Sequence, residues 1–120
     1  MLARGRKDKK MIRETISQIE ATIQNAKSLD EKQKRELLDL VSTLNTEVLQ
    51  LSKTHPEHTE NITDLTERSI HEAIREEKNV ELLKLSLQKL SVSVDGFEGS
   101  HPKLVGIVNS LCLALSNTGI

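Results

Sequence analysis

Apolar residues in this chain recur at alternating spacings of four and three, and that alternation limits what it can become. Ile12, Ile16, Ile19, Ile23 and Ala26 follow it, and Leu37, Val41, Leu44, Val48 and Leu51 repeat it. Val80, Leu83, Leu87, Leu90, Val94 and Phe97 carry it a third time, beginning on a three. A period close to that of the α-helix puts each set on one narrow face, the seam along which a helix packs on another. A strand would alternate every second residue. Little interrupts such helices, because the only prolines are Pro56 and Pro102 and the only aromatic residue is Phe97.

The punctuation divides the chain into segments. The first runs from about Asp8 to Lys27. The second starts at Asp30, a good N-cap, with Glu31 favourable in the first turn. It ends before Pro56, since the residue ahead of a proline disfavours the helical conformation. The third starts near Glu57 to Thr59, with Thr59 as a candidate cap. It carries the modest stripe Ile62, Leu65, Ile70, Ala73 and Ile74 before the stronger seam from Val80 onward. Two forms fit: one helix over residues 58–95, roughly 57 Å long at 1.5 Å per residue, or a break at Lys78-Asn79 with Asn79 capping the second half. After the turn at Gly96–Gly99, a last helix begins at Ser100-His101-Pro102, with proline at home in the first turn and Ser100 or His101 as its cap. Leu104, Val108, Leu111 and Leu115 are its seam, while Val105, Ile107, Cys112 and Leu113 make it apolar nearly all round, as a helix buried among others should be. Its end reads as a helix stop: with Gly119 at C′ and Ile120 at C″, Ile120 meets Leu115 at C3, the contact that accompanies a Schellman cap.

The expected fold is therefore all-α, an antiparallel bundle of four to five helices. If residues 58–95 stay continuous, a long third helix shared in a coiled-coil dimer is the variant. Residues 1–10 read as a flexible basic tail and residues 11–120 as a single helical domain. At 120 residues such a domain buries a core without disulfides or metals.

Composition excludes several classes. The net charge of −1 gives no global attraction to nucleic acid or anionic membrane. One cysteine, Cys112, cannot form an internal disulfide, and with no basic neighbour in sequence it reads as an inert buried thiol. The basic start lacks the apolar core of a signal peptide. The apolar run from Leu104 to Leu115 is shorter than the about 20 residues a bilayer demands. These features point to a cytoplasmic protein with no membrane contact.

Phe97-Glu98-x-Ser100-His101-Pro102-x-Leu104, followed by an apolar helix and Leu115-x-Asn117-x-Gly119-Ile120, resembles the C-terminal signature of a family of small bacterial proteins known only as a domain of unknown function, number 4404. Leu29-Asp30-Glu31 followed by Glu36-Leu37-Leu38 resembles that family's earlier helix start. The likeness covers about residues 29–51 and 82–120. The stretch between about 52 and 81 looks longer than the family's connection, and Thr118 stands where methionine is usual. The resemblance implies a small helical protein and supplies no catalytic residues. Its motif residues, Phe97, Glu98, Ser100, His101, Pro102, Leu104, Leu115, Asn117, Gly119 and Ile120, read as structural.

No cofactor, metal or catalytic residue is assigned. His55-Pro56-Glu57-His58, with Glu60 nearby, has the look of a metal cluster, but tight sites need three or four ligands and a supporting shell. His101 reads as a helix cap, since no nucleophile or carboxylate is placed beside it for acid–base work. No strand leads into a glycine-rich phosphate loop. The basic tail could contact phosphates through Arg4, Arg6, Lys7, Lys9 and Lys10, yet it lacks stacking aromatics and a reading module. The seams remain. Ile12, Ile16, Ile19 and Ile23, with Leu83, Leu87, Leu90 and Val94, are the candidate interface of a non-enzymatic protein. Such a protein associates with itself or with another helical protein, and weak nucleic-acid binding through the tail is the alternative.

Overall fold

Every break between helices falls where backbone chemistry calls for one. A computed structural model describes the backbone of residues 2–118 and the side chains of residues 11–118. The chain forms α1 (Leu2–Asn25), α2 (Glu31–Leu51), α3 (Pro56–Ile74), α4 (Val80–Val94) and α5 (Pro102–Thr118), with a 3-10 turn at Asp95–Phe97 between the last two. Asp30 starts α2 through a capping box: its carboxylate accepts from the Gln33 N–H at 2.8 Å, and the Gln33 side chain accepts from the Asp30 N–H at 3.0 Å. Asn79 starts α4, its side-chain oxygen accepting from the Leu82 N–H at 3.1 Å.

Residues 58–95 are therefore two helices, not the single rod that a coiled-coil dimer would share. The chain turns extended at Arg75 and re-enters a helix only after Asn79. The third helix also starts earlier than Thr59. Pro56 needs no N–H partner and has its φ preset, so it opens α3. Thr59 then lies inside the helix, fully buried, with its hydroxyl donating to the His55 carbonyl at 2.9 Å. At the other end of the chain, α1 begins at Leu2 rather than near Asp8. The side chains of the tail over residues 1–10 lie outside the described residues, as do Gly119 and Ile120 and the cap expected of them.

The five helices close a ring in which α1 packs on α2, α2 on α5, α5 on α4, α4 on α3, and α3 back on α1. Short connections make sequential neighbours antiparallel. The seams meet inside: Ile19, Ile23, Leu37, Val41, Leu44, Val48, Leu51, Ile62, Ile70, Leu90, Leu104, Leu111 and Leu115 are almost wholly removed from water. This burial, at roughly 25 cal/mol per Å² of apolar surface, is the main force holding the ring together.

One end of the bundle is tied by side chains that satisfy carbonyls at helix C-termini. Ser28 Oγ donates to the Ile74 carbonyl at 2.7 Å, joining the α1–α2 turn to the end of α3. Lys78 Nζ donates to the Thr118 carbonyl, joining the α3–α4 loop to the end of α5. Both answer the carbonyls that a helix end leaves without a partner, and the lysine also complements the negative end of the helix dipole.

Candidate functional site

Two places on the described surface stand out, one at the other end of the bundle and one on its side. At the end, the α2–α3 connection and the α4–α5 connection meet around one ring. Phe97 is held inward by the 3-10 turn, and His55, His58 and His101 surround it edge-on, with ring centroids 5.2, 5.4 and 5.9 Å from its own. His55 and His58 also meet each other edge-on at 5.8 Å. Edge-to-face contacts of this kind are worth about 0.5–1.5 kcal/mol each beyond the area they bury. The histidine pair His55 and His58 at the start of α3 and the histidine of the C-terminal motif are thus parts of one cluster.

The cluster is built to fasten loops. His55 Nδ1 lies 2.8 Å from the Thr54 hydroxyl. The His101 ring lies against Phe97, while its backbone holds the position just ahead of α5: its carbonyl accepts from the Val105 N–H at 3.3 Å, and its N–H donates to the Phe97 carbonyl at 2.7 Å and fixes the turn. Among the described residues, no three His, Cys, Asp or Glu side chains converge as a metal site would require. The other motif residues divide simply. Leu104 and Leu115 are core, Pro102 opens α5, and Glu98, Ser100 and Asn117 face solvent.

The seam residues expected at an interface lie elsewhere than a surface. Ile12, Ile16, Ile19, Ile23, Leu83, Leu90 and Val94 are buried, and Leu87 packs partly buried against them. The ring of five helices closes on itself, so each seam finds its partner within the same chain. The tail cations Arg4, Arg6, Lys7, Lys9 and Lys10 lie outside the residues whose side chains are described.

What the closed ring leaves over is on α4. Leu82, Leu85 and Val92 are 44%, 47% and 60% exposed, unusual for such large apolar side chains aligned on one helix. Beside them α3 presents Asn61, Leu65 and Arg68, at spacings of four and three that keep all on one flank. The two helices enclose an open groove of about 660 Å³, floored by Leu65, Leu85 and Val92 and edged by Asn61, Arg68, Gln88, Lys89 and Ser93. Sequence reasoning passed over these residues because it followed the regular seams. The signal was present: α4 carries more apolar residues than one seam uses, and Leu82, Leu85 and Val92 fall together on its opposite side.

Cys112 sits half-buried between α5 and α4, its Sγ 3.7 Å from the Leu87 carbonyl. Burial pushes its thiol above the ordinary value, which disfavours the reactive thiolate. No described helix is long and apolar enough to cross a membrane.

Residues 39–120, from the middle of α2 to the end of α5, match the family model described as a domain of unknown function (DUF4404). The match runs through α3 and includes both the ring cluster and the groove. No curated protein and no solved structure matches the chain.

Proposed function

The chain belongs to the DUF4404 family, and from its geometry we propose a non-enzymatic protein that works by docking a helix, from a second copy or from another protein, in the groove between α3 and α4. The observation that carries this reading is the exposed line Leu82, Leu85 and Val92 beside an open apolar channel. An amphipathic helix lays residues spaced three and four apart into such a channel, which is the common helix-in-groove mode of recognition. The remaining chemistry-bearing groups support a role without catalysis. The histidines His55, His58 and His101 pack on Phe97, and burial raises the pKa of the one thiol, which disfavours the reactive thiolate. A cytoplasmic setting suits a chain with a single unpaired cysteine.

Solution mass by light scattering, combined with backbone amide shift mapping while an amphipathic helical peptide is added, tests the proposal. Shifts confined to residues 61–72 and 82–93, or a dimer lost in Leu85→Asp, are the expected results. A monomer whose amides ignore every such peptide would defeat it.

A further inference from the structure

The charges around the groove say more about what enters it. We infer that its occupant is an amphipathic helix of a different protein, with glutamate or aspartate flanking its apolar stripe. This inference rests on the helix-docking reading above and goes beyond it by fixing the partner's chemistry.

Helix α3 is acidic, yet its acids avoid the groove. Glu60 and Asp64 line the cleft that α3 forms with Met11 and Thr15 of α1, and Glu72, further along α3, is engaged by Arg75 at 2.9 Å. The groove edge carries Arg68 from α3 and Lys89 from α4. Both are exposed, and neither makes an ion pair or side-chain hydrogen bond with a described residue. An apolar floor with two unanswered cations and no carboxylate at its rim is complementary to a helix with anionic shoulders. Such complementarity chiefly sets selectivity and association rate.

The same charges argue against a second copy as occupant. A two-fold contact is isologous, so the same patch meets itself. Two grooves face to face would set Arg68 and Lys89 of one copy against those of the other, in a partly desolvated contact where like charges are costly. A head-to-tail contact would need a complementary helix elsewhere on the chain. Outside α4, the exposed large apolar side chains among the described residues are Met11 and Leu113, on different helices. Among the described residues no second stripe is offered.

Two matched fluorescent peptides test the inference, each about five helical turns long, with identical leucine stripes flanked by glutamate in one and lysine in the other. Binding to the whole protein is measured by anisotropy at low and high salt. The glutamate peptide should bind about tenfold more tightly at low salt, since exposed pairs contribute modestly and each tenfold is a small free energy. The preference should shrink as salt screens it and should reverse in the double variant R68E/K89E, whose fold is checked by circular dichroism. Equal binding of both peptides, abolished by L85D, would overturn the acidic partner and leave helix docking standing. A dimer that takes neither peptide would also overturn it, by assigning the groove to a second copy. A monomer that takes neither would remove the docking reading itself, and this inference with it.

Discussion

Helices α1 and α4 share the same three-and-four alternation but stand in the fold differently. In α1 the described large apolar residues other than Met11 form one seam, Ile12, Ile16, Ile19 and Ile23, and all of it faces the core. In α4 the seam Leu83, Leu90 and Val94 also faces the core, but Val80, Leu82, Leu85 and Val92 remain outside. A regular seam therefore identifies the face a helix uses to fold. Apolar residues in excess of that seam identify the face it keeps for something else.

The sharpest test of this difference is to cut one residue from each face. Ile23→Ala in α1 removes a side chain with no exposure and should cost about 2–5 kcal/mol in chemical denaturation, transfer loss and cavity together. Leu85→Ala in α4 should stay within about 0.5 kcal/mol, as surface changes usually do. Equal losses would mean that Leu85 is part of the core, and the distinction between the two helices would collapse.

The position of α4 depends on where it starts. Asn79→Ala should lower stability by about 0.5–2 kcal/mol through the lost cap on the Leu82 N–H, while Asn79→Gly should cost only a few tenths. The break and this cap were both legible in the sequence as one of two forms, and so were Asp30 as a cap, Pro102 as a helix start and the seams of α1, α2 and α5; the α4 seam was legible from Leu83 onward, while Val80, expected to open it, is exposed in the first turn beside the cap. Helix α3 was harder to read, for a physical reason. Its buried face is made largely of Thr59, Thr63, Thr66 and Ser69, set among Ile62, Ile70 and Ala73. The three threonine hydroxyls donate to carbonyls one turn back, at 2.9, 2.8 and 2.8 Å, so they enter the core with their polarity satisfied. An apolar pattern does not count such residues, and α3 looked weaker than it is. The ring cluster escaped for another reason. His55, His58 and His101 are brought to Phe97 where the start of α3 meets the α4–α5 connection, and no local spacing encodes that meeting.

Ser69 marks the exception on that face. Its hydroxyl is buried without a partner, whereas the three threonines are bonded. A buried unsatisfied polar group costs roughly 1–3 kcal/mol, so Ser69→Ala should raise stability, by about 1 kcal/mol, with the midpoint of denaturation rising at constant slope. Thr66→Val, by contrast, removes a bonded hydroxyl and should gain less. A loss of stability in Ser69→Ala would mean that the hydroxyl has a partner in solution, such as bound water.

The smallest expected effect bears most directly on α4. Leu85→Gln combined with Val92→Gln should leave the midpoint of thermal unfolding nearly unchanged, each change lying within about 0.5 kcal/mol. The same double variant should elute earlier from a hydrophobic-interaction column than the parent chain. The two readouts separate because they report on different surfaces: unfolding reads contacts inside the ring, and the column reads apolar area outside it. Along the α1 seam they cannot be separated, since Ile12, Ile16, Ile19 and Ile23 face only the core and a glutamine at any of them would weaken the bundle before altering its surface. Retention unchanged by the double variant would mean that Leu85 and Val92 do not make up the exposed patch, and α4 would then be a core helix like α1.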